Sequence, residues 1–101
     1  MTYKLWLDDI RPAPDSSWVE FDNITDMIGA MKRLINWGAK IEIISLDNDL
    51  GEGLEEGYKV LDWLESLLIP VEFGIHIHTS NSVARERMRA IIERNGWTEV
   101  R

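Results

Sequence analysis

The stretch IEIISLDNDL, residues 41–50, changes character at its middle. Four of its first six residues are apolar and three of those are isoleucine, a short β-branched run that reads as a strand buried on both faces. Its last four bring two carboxylates and an amide. A buried strand that ends in acids is typical of a parallel α/β sheet, where ligands bind outside the carboxyl ends of the strands.

The flanking sequence extends the pattern. YKLWLD (3–8) reads as a first strand, WVEFD (18–22) as a second and VEFGIHIH (71–78) as a fourth. NITDMIGAMKRLINWG places Ile24, Met27, Ile28, Met31, Leu34 and Ile35 at helical spacing, with Asn23 to cap its start and Gly38 its end. GYKVLDWLESLL predicts a second helix, stopped before Pro70, and SVARERMRAIIERNG a third with Ala84, Met88, Ile91 and Ile92 on its inner face. WTEVR is either a frayed tail or a short last strand. Strands alternating with helices predict a single α/β domain over residues 1–101, with a mostly parallel sheet of four to five strands flanked by helices. The first connection, IRPAPDSS, holds no helix, so a hairpin and a loop crossing to a parallel strand are both open.

Composition narrows the function classes. Of 101 residues, 45% are hydrophobic and 29% charged, as expected of a folded globular domain. No apolar run is long enough to span a bilayer and no signal-peptide pattern opens the chain, so no membrane partner and a cytoplasmic location are expected. The absence of cysteine excludes disulfides and thiolate metal sites. A net charge of −7 argues against general nucleic-acid binding, although arginines or a metal can invert the field locally for a phosphate ligand. Trp6 and Trp63 fall in core patterns. Trp18, Trp37 and Trp97 lie near element ends.

Polar residues gather where three strands end. The first ends in Asp8-Asp9, the third in Asp47-Asn48-Asp49 and the fourth in His78-Thr79-Ser80-Asn81. Each alone reads most simply as a solvated strand end; parallel topology brings all three to one crevice. Carboxylates so placed need an offsetting charge. Mg²⁺ or Mn²⁺ suits hard oxygen donors, while Arg11 or protonation of one acid serves equally. His76 and His78 alternate with Ile75 and Ile77 and so share a face. His78, at the strand exit, suits proton transfer near neutral pH, whereas His76 supports its neighbours from one step deeper. The third helix starts after Asn81, where its N–H groups and Arg85 suit an anion.

The acidic pair, Asp47, the glycine-containing turn and the hydroxyl of Thr79 resemble a receiver domain of two-component signalling. A receiver, however, has a helix between its first two strands and a lysine on its fifth, and this chain has no lysine after Lys59. LDDIRPAPD (7–15), ISLDNDLGEG (44–53), GYKVLDWL (57–64) and IHTSNSVARERM (77–88) together resemble the divergent cyclic-phosphate-processing receiver-like domain. Ile10 replaces a common acid of that pattern, Asn48 a common histidine, and Ser82 and Ala84 a proline and a glycine. The resemblance implies a truncated receiver-like (flavodoxin-like) fold lacking the first crossover helix. It also implies a phosphodiesterase-type hydrolase acting on a 2′,3′-cyclic phosphate RNA end or a cyclic nucleotide. Under it, Asp8, Asp9 and Asp47 hold the metal, Asp9, Asp47 and His78 are catalytic, and Arg11, Asn48, Asp49, Thr79, Asn81 and Arg85 bind the phosphate or substrate. A non-catalytic nucleotide-sequestering protein and an atypical phospho-accepting receiver are the alternative readings.

Overall fold

A computed structural model describes residues 1–101. Five strands, β1 (Thr2–Leu7), β2 (Trp18–Phe21), β3 (Lys40–Leu46), β4 (Gly74–Ile77) and β5 (Thr98–Val100), alternate with three helices, α1 (Ile24–Asn36), α2 (Tyr58–Ser66) and α3 (Ser82–Asn95). The sheet order is β2-β1-β3-β4-β5 and every pairing is parallel. This is the flavodoxin-like order without the helix that usually joins its first two strands. The C-terminal WTEVR supplies β5 as an edge strand.

The crossovers explain the layering. From β2 over β1 to β3, then to β4 and β5, the chain advances in one direction, so right-handed connections put all three helices on the same face. Leu5, Leu7, Ile44, Leu46, Ile75 and Ile77 pack there in one continuous core with Met27 and Met31 of α1, Val60, Leu61 and Leu64 of α2, and Met88, Ile91 and Ile92 of α3. The β1–β2 connection runs the other way and passes over the opposite face, where Trp6 Nε1 donates to Arg11 O at 2.9 Å. The helixless first link is therefore a parallel crossover, not a hairpin.

Two expected spans shift. The strand read at 71–78 begins only at Gly74, and Val71–Phe73 lie outside the ladder. A Cβ on Gly74 would come 2.5 Å from Val100 Cγ2, so the strand enters the sheet at the residue that lets β5 pack close. The helix expected to reach Leu68 ends at Ser66, and Leu68 takes φ 54°, turning the chain before Pro70. Trp63 and Trp97 pack against the core. Trp6 is buried on the opposite face, edge-on to Trp18, while Trp37 is exposed. No helix is long and apolar enough to cross a membrane.

Candidate functional site

The chain leaves β1 toward β2 on one side and β3 toward β4 on the other, which puts the topological switch point, where such sheets bind ligands, at the carboxyl ends of β1 and β3. Backbone bonds continue the ladder past the strand ends: Asp8 N donates to Phe21 O, Asp47 N to Leu7 O and His78 N to Leu46 O, at 2.9–3.0 Å. Asp8, Asp47 and His78 are thereby held in adjacent positions. Gly57 closes the floor of the site, its N–H bonding Asn48 O at 2.8 Å.

Asp8 is the centre of the cluster, with a side chain only 1% exposed. Its Oδ1 accepts from the backbone N–H of Ile10 (2.8 Å) and Arg11 (2.9 Å), and its Oδ2 from Arg11 Nε (2.9 Å) and His78 Nε2 (3.0 Å). Burial alone would raise its pKa. The two backbone donors, His78 and the Arg11 charge outweigh burial and hold it below the usual carboxylate value. Arg11 lies across the acids: Nη2 is 3.3 Å from Asp47 Oδ1, and Nη1 donates to His78 O at 3.0 Å. Asp47 spends Oδ1 on Asn48 N (2.8 Å) and Arg11, and its Oδ2 takes no hydrogen bond from the protein.

The His78 ring is stacked on one face and hydrogen-bonded at its edge. Trp6 stacks on it with ring centroids 3.9 Å apart and planes 6° from parallel, and Ser45 Oγ lies 2.8 Å from Nδ1. Its side chain is 9% exposed. Burial lowers its pKa below the ordinary histidine value; the Asp8 hydrogen bond and the charges of Asp8 and Asp47 oppose that fall, and Arg11 adds to it. His76 lies on the same face, its Nδ1 2.6 Å from the same Ser45 Oγ. Burial lowers its pKa as well, against the nearby Glu99 charge.

The remaining residues fall around or beneath this cluster. Asp9 is exposed, and its carboxylate lies with those of Asp8 and Asp47 so that one oxygen from each falls within 4.8 Å of the others. That spacing and the hard oxygen donors fit a divalent cation. Asn48 lies below the rim, fully buried, where its Oδ1 accepts Tyr58 N (3.1 Å) and caps α2 in place of a side chain at Gly57. Asn81 caps α3 through Ala84 N (3.0 Å) and reaches the exposed Asp49 at 3.3 Å. Thr79 is buried and accepts Asn81 N (3.2 Å). Arg85 donates Nη2 to Thr79 O, which ties the first turn of α3 to the exit of β4.

Ser45 is not among the residues the sequence assigns to the site, and Trp6 reads there as core, although the signal for both is present. Ser45 is two residues before Asp47, and Trp6 two before Asp8, so period-two alternation puts both on the face of the histidines. The only hydroxyl in an apolar strand was the clue. A family model described as "Cyclic-phosphate processing Receiver domain" matches residues 3–94. No curated protein and no solved structure gives a significant match. With the fold, the acidic cluster and a match over nearly its whole length, the chain belongs to the cyclic-phosphate processing receiver domain family.

Proposed function

We propose that the crevice binds a cyclic phosphodiester and hydrolyses it to a monoester. The observation that carries this reading is the junction of Asp8, Arg11, Asp47 and His78, delivered by three strands to the switch point of the sheet. Arg11, 48% exposed, turns its guanidinium from the acids to the phosphate, where two N–H groups match two phosphoryl oxygens. Asn81, Asp49 and the free N–H groups at the start of α3 border the ligand, while Thr79, Arg85 and Asn48 hold that border in shape.

Water adds to phosphorus and gives up its proton to the open Oδ2 of Asp47. The ring P–O bond breaks, and the leaving oxygen takes a proton from His78 in its imidazolium form, which returns to the neutral imidazole. Asp8 keeps that ring oriented. Asp8, Asp9 and Asp47 are the residues that would hold Mg²⁺ or Mn²⁺, which would supply charge neutralisation for the phosphoryl oxygens.

Phosphorus NMR with 2′,3′- and 3′,5′-cyclic nucleotides, run with Mg²⁺, Mn²⁺ or chelator, tests this reading. A cyclic-phosphate signal should convert to monoester with the parent protein and not with His78→Ala, whose circular dichroism should remain native. An equally active His78→Ala removes the histidine from the mechanism. One observation favours a second reading, that of a binder without turnover: both ring nitrogens of His78 already have partners in the protein. Broadened ligand signals with no conversion would select it.

A further inference from the structure

Ser45 is fully buried, and its single hydroxyl touches Nδ1 of both histidines, at 2.6 Å from His76 and 2.8 Å from His78. A hydroxyl has one proton to donate, so Ser45 cannot donate to both rings, although its two lone pairs could accept from both. The Asp8 end decides which is which. An ionised carboxylate only accepts, so the 3.0 Å contact from His78 Nε2 to Asp8 Oδ2 requires the proton on Nε2. A neutral imidazole carries one N–H, so His78 Nδ1 presents its lone pair to Ser45. The hydroxyl proton is then spent on His78, and Ser45 Oγ can only accept from His76. His76 must carry its proton on Nδ1.

We infer that Ser45 and His76 are positioning residues for the proposed site: a one-way chain from His76 Nδ1–H to Ser45 Oγ–H to His78 Nδ1 holds His78 as the Nε2–H tautomer facing Asp8. The chain rests on that reading for its catalytic consequence, but its polarity follows from hydrogen-bond arithmetic for a neutral His78 beside an ionised Asp8. The Trp6 ring stacked on His78 blocks rotation of the imidazole out of plane, so Asp8 at Nε2 and the Ser45 hydroxyl at Nδ1 together set which nitrogen bears the proton. The tautomer in turn decides whether the nitrogen at the rim is a donor or an acceptor.

Long-range ¹H–¹⁵N correlation of the imidazoles, at pH 8 in chelator, reads each tautomer directly. The parent protein should show His78 as Nε2–H and His76 as Nδ1–H; His76 found as Nε2–H overturns the chain. In Ser45→Ala, His76 should leave the Nδ1–H form, and its persistence there would show that the hydroxyl does not hold it. With a cyclic-phosphate substrate, Ser45→Ala should lose roughly ten- to a hundredfold in kcat with KM little changed, as for other residues that orient a functional ligand. His76→Asn keeps a donor near the Nδ1 position and should retain most of the rate, whereas His76→Phe should not. Unchanged kcat in Ser45→Ala overturns the positioning role. If the parent protein turns over no cyclic phosphate, the hydrolytic reading fails while the tautomers still decide the chain.

Discussion

At the scale of single residues, the site is shaped as much by what is absent as by what is present. Gly57 has ordinary helical torsions, so conformational freedom is not the reason for it. An added Cβ would lie 1.9 Å from the Asp47 carbonyl oxygen, closer than any real contact, and the obstacle is backbone. Gly57→Ala should cost about 1–3 kcal/mol, the usual penalty of overpacking, read as a shift in the urea midpoint, and it should displace Asp47. Arg11 illustrates competition rather than fit. Its guanidinium lies against Asp8 and Asp47, two of the three acids that could share a cation. Arg11→Ala should therefore bind Mn²⁺ several-fold more tightly than the parent in calorimetric titration; equal or weaker affinity would mean that arginine and cation do not contend for one place.

At the scale of elements, α2 is fastened at both ends by side chains from outside it. The start of α2 is capped by Asn48 of the β3 exit. The last turns of α2 and α3 are joined by Glu65, which takes Arg94 Nε and Nη2 at 2.8 and 2.7 Å and also bonds Asn95. These hydrogen bonds, first from Arg94 and then from Asn95, draw the Glu65 carboxyl from 4.5 down to about 2. A folded-state pKa below the unfolded value means stability that is present above pH 4.5 and lost as pH falls toward 2. Glu65→Gln should accordingly lower the urea midpoint at pH 7, and the gap from the parent should close as pH approaches 2. A gap independent of pH would assign the effect to shape, not charge.

At the scale of the whole molecule, one apolar core joins the sheet to all three helices, so no helix has a separate core of its own. Thermal unfolding followed by tryptophan fluorescence and by far-ultraviolet circular dichroism should give superimposable transitions; separated ones would mean that the Trp6 face unfolds apart from the helical layer. The order of elements, the helix faces and the gathering of Asp8, Asp9, Asp47 and His78 at one rim were all legible in the sequence, because hydrophobic period and strand ends are local properties. Contacts were not legible in the same way. Asn48 read as a group at the rim, yet it is buried as the cap of α2, and Arg85 read as an anion ligand, yet its Nη2 is spent on the Thr79 carbonyl. Local sequence determined which residues reach the crevice. Only the tertiary structure decided what each donor and acceptor meets there: the parallel first crossover lays Arg11 over Asp8 and Asp47, and the alignment of β1, β3 and β4 brings Trp6, Ser45 and both histidines together. The physical reason is that a hydrogen bond depends on where two distant segments lie to within a few tenths of an ångström, whereas a hydrophobic period is written along one segment.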